Sequence, residues 1–109
     1  MEELAYHFLF KENFPSWLYC VNLGATTIWE RWNSLLSDGT CSGTGMNSFN
    51  HYSYGSVVEF LYAYAGGIRA KIPGFKEAII APLPDMRFRY FNCSYDSVSG
   101  EYVSNWHIS

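Results

Sequence analysis

The sequence predicts an α+β chain whose two kinds of structure are segregated, helices first and antiparallel strands after about residue 70. Three observations carry this. Apolar residues recur at helical spacing near the start, a two-residue alternation takes over from Ile72, and the pair Gly66-Gly67 stands between the two regimes. The 109 residues amount to one small domain, yet 49% are hydrophobic, 19% aromatic and only 16% charged. A domain of that size hides only about 60–70% of its unfolded surface. So much apolar side chain suits the inner part of something larger.

Leu4, His7, Phe8 and Lys11 keep the i, i+3, i+4, i+7 spacing of a first helix, and Leu9 and Phe10 make it apolar on more than one side. Pro15 suits the first turn of a second helix running through Trp17, Leu18 and Val21. Gly24 stands where a left-handed C-terminal cap belongs. Glu30 then lies on the segment leaving a helix, where a side chain can project into a cavity mouth. Residues 37–47 are rich in Gly, Ser and Thr and read as a loop. A phosphate-binding loop is excluded there, because no Lys-Ser or Lys-Thr closes it and no strand precedes it. A third helix is expected from about Phe49 to Ala65. Phe49, Tyr52, Phe60 and Ala63 lie on one side and Val57, Leu61 and Tyr64 on the next, so it must be buried against other helices.

Pro73-Gly74 then marks a turn, and Phe75 to Ala81 is an apolar, β-branched run ended by Pro82 and Pro84. Met86, Phe88 and Tyr90 alternate with Arg87, Arg89 and Phe91, as in a half-buried strand with surface arginines. Ser97 to Gly100 makes a hairpin turn, after which Tyr102, Ser104, Trp106 and Ile108 line one face of the returning strand. So few strands, so rich in aromatics, call for further strands beside them.

Charge and cysteines exclude several function classes. A net charge of −3 gives no basic footprint for nucleic acid. No run approaches the roughly 18 apolar residues of a membrane span. Met1-Glu2-Glu3-Leu4 lacks the basic and apolar regions of a signal peptide, so the expected location is cytoplasmic. Cys20, Cys41 and Cys93 are odd in number and far apart, which suggests ordinary reduced thiols, no zinc site and no cofactor. Asn92-Cys93-Ser94 matches a glycosylation acceptor only as a short pattern.

The chemistry concentrates in residues 26–54. Glu30 sits between Trp29 and Trp32, and His51 follows it by 21 positions across the loop. Pyranose faces carry C–H bonds that pack on aromatic rings, while their hydroxyls need convergent polar groups. A carboxylate framed by indoles therefore points to a carbohydrate site. The bland readings are a solvated helix-end Glu30, a core histidine satisfied by a backbone carbonyl, and tryptophans that are simply core. Asp38 reads as a loop residue and Glu59 as part of a packed helix, so neither supplies a second catalytic carboxylate.

These residues resemble bacterial α-L-rhamnosidases. The likeness rests on Pro15-Ser16-Trp17, Gly24-Ala25-Thr26-Thr27-Ile28-Trp29-Glu30-Arg31-Trp32, Ser48-Phe49-Asn50-His51-Tyr52, Tyr54-Gly55, Pro73-Gly74-Phe75-Lys76 and Ala81-Pro82 with Pro84. The blocks occur in order and cover nearly the whole chain. Leu18 stands where the family usually has Gly, and Asn33 where Asp is common. The resemblance implies the last helices of an (α/α)6 barrel over residues 1–70 and the first strands of a C-terminal β-sandwich over 71–109. It also implies inverting hydrolysis of terminal α-L-rhamnose from glycosides. Glu30 matches the family's general base, while His51 and Trp29 or Trp32 match groups near the rhamnose ring. The general acid matches nothing in this chain, so the chain alone is expected to be inactive, to belong with the rest of a larger polypeptide, and to self-associate. The rival expectation is a non-catalytic carbohydrate-binding or packing module.

Overall fold

Helices come first and strands second. The computed structural model describes residues 1–109. Its elements are α1 (Glu2–Phe10), α2 (Trp17–Asn22), a 3-10 turn (Ser53–Ser56), α3 (Val57–Phe60) running into a π turn (Leu61–Ala65), β1 (Ile68–Ala70), a 3-10 turn (Pro73–Phe75), β2 (Ala78–Ile80), β3 (Tyr90–Ser97) and β4 (Gly100–His107). By contact density they form two units, Met1–Ser56 and Val57–Ser109.

In the first unit α2 is the hub. Ser16 caps it, its hydroxyl accepting from the Tyr19 amide at 3.0 Å. At the other end Gly24, with φ +86°, takes the left-handed position. The Gly24 amide donates to Val21 O and the Ala25 amide to Cys20 O, the paired bonds that end a helix and turn the chain away. The Trp17 indole N–H donates to Tyr54 O at 2.9 Å, and the Tyr19 hydroxyl to Leu35 O at 3.0 Å. These bonds tie the short helix to both later parts of the unit. Tyr6, Ser16, Trp29 and Ser34 are buried.

The second unit is organised by the end of its helical segment. The Gly66 amide donates back to Leu61 O at 2.8 Å, an i to i+5 bond that widens the last turn. The carbonyls that such a turn leaves unpaired find partners elsewhere. Arg69 donates to Ala63 O, the Leu83 amide to Tyr64 O, and the Trp106 indole to Ala65 O at 2.8 Å. Gly66 and Gly67 follow because nothing larger can pass. A Cβ on Gly66 would lie 2.7 Å from Cys93 Sγ, and one on Gly67 only 2.2 Å from the Pro82 nitrogen. β1 pairs antiparallel with β2, and β3 with β4. In the long hairpin Phe91 faces Trp106, Cys93 faces Ser104 and Tyr95 faces Tyr102. This face carries the buried Cys93 and Ser104, whereas Asn92, Ser94, Val103 and Asn105 on the other are exposed. The alternation read over Tyr102, Ser104 and Trp106 is therefore real. The Tyr102 hydroxyl and the Ser99 hydroxyl donate to Phe75 O and Gly74 O, pinning the hairpin to the Pro73–Phe75 turn.

Several elements differ from the sequence reading. The third helix does not begin at Phe49: residues 49–52 are irregular, and the segment is 3-10, then α, then π. Ser53, Tyr54 and Gly55 are poor helix formers, and residues 48–51 are already engaged by backbone bonds to the 28–30 segment. In α1 the inward side is Tyr6 with Phe8 and Leu9, while Leu4 is 69% exposed and His7 also faces solvent. Pro15 stands just before the Ser16 cap, after a cis Phe14–Pro15 bond, and not inside the helix. The strand expected over Phe75–Ala81 shrinks to Ala78–Ile80, because Gly74 and Phe75 both have positive φ, which an extended strand cannot accommodate. Met86 and Arg87 form a turn, not a strand. The turn is imposed by Asp85, whose carboxylate accepts from the Arg87 amide at 2.9 Å and from its guanidinium at 2.7 Å. Arg87 is thus half-buried and paired. Glu59 is exposed on α3.

Cys20, Cys41 and Cys93 are all free thiols; burial pushes those of Cys20 and Cys93 up from the usual range. No helix is long and apolar enough to cross a membrane, and no three His, Cys, Asp or Glu side chains gather where they could hold a metal ion.

Candidate functional site

The candidate residues sit on two backbone segments joined side by side. The Glu30 amide donates to Ser48 O at 2.8 Å, and the His51 amide donates to Ile28 O at 2.7 Å. The Thr27 hydroxyl adds a bond to Phe49 O. Residues far apart in sequence, Glu30 and His51, are in this way carried on one antiparallel pair, Glu30 two residues from Ile28 and His51 three from Ser48. α2 and its glycine cap launch the first segment, and the loop of residues 33–47 returns the chain for the second.

Trp29 lies on the inward side of this pair. It is only 5% exposed, and its ring meets Phe49 edge to face at 5.7 Å. Trp32 enters an aromatic cluster, stacked on Tyr54 with ring centroids 3.8 Å apart and edge-on to Trp17 at 5.0 Å. Phe8 closes the cluster from α1, 5.1 Å from Trp17. Both tryptophans therefore carry packing. They also line an open apolar hollow of about 280 Å³, with Trp17, Val21, Ile28 and Tyr54. Glu30 and His51 are not in its wall. The four candidates thus divide: two rings at the hollow, and two polar groups on the stitched segments beside it.

Glu30 is half-buried, and its carboxylate meets no hydrogen-bonding or charged partner in the chain. The neighbouring Arg31 does not pair with it. That guanidinium is occupied by the carbonyls of Met46, at 2.9 Å, and Gly45. Glu30 and Arg31, adjacent in the chain, thus form no ion pair with each other. His51 is also half-buried. Its Nδ1 accepts from the Ser53 amide at 3.3 Å, and its ring stacks on Tyr52 at 5.1 Å. With Nδ1 acting as acceptor, the neutral ring carries its proton on Nε2, which can donate outward. Asp38 remains in the loop, where bonds from the Thr40 hydroxyl and amide hold its carboxyl below the usual range.

Comparison with known proteins decides the family. Residues 1–65 match the bacterial alpha-L-rhamnosidase 6 hairpin glycosidase domain, and residues 67–109 match the bacterial alpha-L-rhamnosidase C-terminal domain. The chain belongs to the bacterial α-L-rhamnosidase family. An α-L-rhamnosidase of Alteromonas sp. (strain LOR) is 42% identical over 104 residues, covering 95% of this chain and 11% of that protein. The crystal structure of the Streptomyces avermitilis α-L-rhamnosidase complexed with L-rhamnose superposes with a TM-score of 0.90 at 38% identity, over 95% of this chain and 10% of that one. The native Aspergillus terreus enzyme gives 0.90 at 34% identity, over 94% and 12%. The chain thus spans about a tenth of the length of these rhamnosidases. All four candidate residues lie within the stretch that matches the glycosidase domain. Residues that sequence reasoning left without a role in the site are Arg31, Tyr54 and Ser34. Arg31 and Tyr54 lay inside recognised blocks, but the buried Ser34 gave no signal beyond its position.

Proposed function

We propose that this chain is the part of an inverting α-L-rhamnosidase that carries its general base, Glu30. The observation supporting it is the half-buried carboxylate with no partner, held by its own backbone against Ser48 O while the adjacent Arg31 is engaged elsewhere. Inverting hydrolysis uses two carboxyl groups about 6.5–9.5 Å apart, with the attacking water between one of them and the sugar. Glu30 removes a proton from that water as it attacks the anomeric carbon of the α-rhamnoside. The bond to the leaving oxygen breaks on the opposite face, and the product is β-L-rhamnose. The acid that protonates the leaving oxygen comes from the remaining nine-tenths of a rhamnosidase.

His51 donates from Nε2 to a ring hydroxyl, and its stacking on Tyr52 holds the plane of the imidazole. At least one of Trp29 and Trp32 contributes a face or edge to the apolar side of the sugar. Residues 1–70 complete a helical barrel and residues 71–109 open a β-sandwich, each needing further elements of the same polypeptide. By itself the chain associates through exposed apolar side chains such as Leu4 and Tyr90.

The test is the anomer formed first. An α-L-rhamnosidase of the relatives' length that carries this chain should release β-L-rhamnose from an aryl α-L-rhamnoside, seen by proton NMR before mutarotation, while the 109-residue chain alone gives no turnover. First release of the α anomer, or turnover by the purified chain, would reject the proposal.

A further inference from the structure

Arg31 immediately follows Glu30, and the simplest use of such a neighbour would be to pair with it. The structure shows a different use. The Arg31 guanidinium reaches across to the loop and donates from Nε to Met46 O and from Nη2 to Gly45 O. Two adjacent carbonyls are thus held by two nitrogens of one planar fork, a geometry that a lysine cannot reproduce. The loop needs holding. Met46 has φ +51°, a left-handed conformation that is costly for a residue with a side chain, and it is 82% exposed, so its own packing does little to fix it. Two residues on, Ser48 O accepts the Glu30 amide. The bonds make a closed ring: Glu30 to Arg31 through the chain, Arg31 to Gly45 and Met46 through the guanidinium, and Ser48 back to Glu30.

The base of the ring is fixed as well. Ser34 is fully buried; its hydroxyl accepts from the Arg31 amide at 3.2 Å and donates to Arg31 O at 3.0 Å. The Asn47 side chain donates from Nδ2 to Gly43 O at 2.8 Å and to Ser34 O at 3.3 Å, bracing the loop from the other side. The Arg31 and Asn47 bonds thus hold the loop on the residues just before the carbonyl that seats Glu30.

We propose that Arg31 is a positioning residue for Glu30, acting through the Gly45–Ser48 loop and not on the sugar. It has two effects. It holds Ser48 O where it fixes the Glu30 backbone, and it removes its own positive charge from pairing with the carboxylate. The inference rests on the reading of Glu30 as general base. A misplacement of the order of 1 Å can cost a reaction about 10²-fold, so Arg31→Ala should lower kcat by about that factor and change KM little.

The experiment is a double-variant comparison in an α-L-rhamnosidase of the relatives' length carrying this chain. Native protein, Arg31→Ala, Glu30→Ala and the double variant are assayed on an aryl α-L-rhamnoside, with azide added to the two that lack Glu30. A residue acting only through Glu30 has nothing left to position once Glu30 is gone. The expected result is a loss of about 10²-fold for Arg31→Ala in the native background and no further loss of azide-supported turnover in the Glu30→Ala background. An equal loss in both backgrounds would place Arg31 in the general fold or on the sugar and overturn the inference, even with Glu30 confirmed as base. An undiminished rate in Glu30→Ala alone would overturn the base reading and this one together. If Arg31→Ala does not fold, Arg31→Lys is read by the same comparison: a loss confined to the Glu30 background supports the inference, and an equal loss or none overturns it.

Discussion

Gly67 and Gly74 share a backbone φ of +76° but not a neighbourhood, and this separates two costs that a glycine substitution usually mixes. A Cβ on Gly74 would meet only Val98 Cγ2, at 3.8 Å, an ordinary contact. Gly74→Ala should therefore cost only the left-handed conformation, about 1–2 kcal/mol. A Cβ on Gly67 would fall 2.2 Å from the Pro82 nitrogen and 2.3 Å from the Ala81 carbonyl carbon, both backbone atoms that cannot swing aside. The 81–82 segment must move, which strains or breaks the bond from the Ala81 amide to Gly67 O, 2.9 Å long. Overpacking of this kind adds about 1–3 kcal/mol, so Gly67→Ala should cost about 2–5 kcal/mol. Urea unfolding gives the comparison, and hydrogen exchange at the Ala81 amide locates the damage. Gly67→Ala should show the larger fall in midpoint and a selective loss of protection at Ala81. Equal midpoints for the two variants, with Ala81 still protected in both, would refute the close-approach reasoning.

The same unit supports two more expectations. Trp106→Phe keeps a ring against Phe91 but removes the indole N–H that serves Ala65 O. Leaving that acceptor unsatisfied should cost about 1–3 kcal/mol by urea unfolding, and an unchanged midpoint would contradict the capping role. The Arg87 hydrogen bonds hold the Asp85 carboxyl below the usual carboxylate range, outweighing burial, which pushes it up. With the folded value depressed, the pair's contribution is complete above the unfolded value of about 3.9 and is lost as pH falls through the lower folded value. Asp85→Asn should accordingly lower stability at neutral pH and flatten its decline below about pH 4; an acid limb identical to that of the native chain would count against it.

What the sequence made legible was local and periodic. The Gly24 cap, the hairpin turn at Ser97–Gly100 and the Tyr102, Ser104, Trp106 face each depend on a residue type at a fixed spacing, and each is present. What it hid depends on distant partners. The helix expected from Phe49 fails because residues 48–51 are engaged by the 28–30 segment, and no spacing within 49–65 reports that. The strand expected around Phe88 fails because Asp85 folds the chain onto Arg87, a short-range bond that outcompetes a two-residue alternation. At the candidate site the cluster of Glu30, His51 and the tryptophans was visible as residue types. The division of labour was not: both rings carry packing, and Arg31 bonds two loop carbonyls and not its neighbour Glu30.

Azide rescue of Glu30→Ala bears most directly on the role assigned to that carboxylate. In an α-L-rhamnosidase of the relatives' length carrying this chain, the substitution removes the proton acceptor for water but leaves the acid able to activate the leaving group. The rate should fall by about 10²–10⁴-fold, mainly in kcat. Azide needs no deprotonation and fits the space that the side chain vacates. It should restore turnover and give the β-configured rhamnosyl azide, by attack on the face opposite the leaving oxygen. An unchanged rate in the variant, no response to azide, or an α-configured product would contradict Glu30 as the general base.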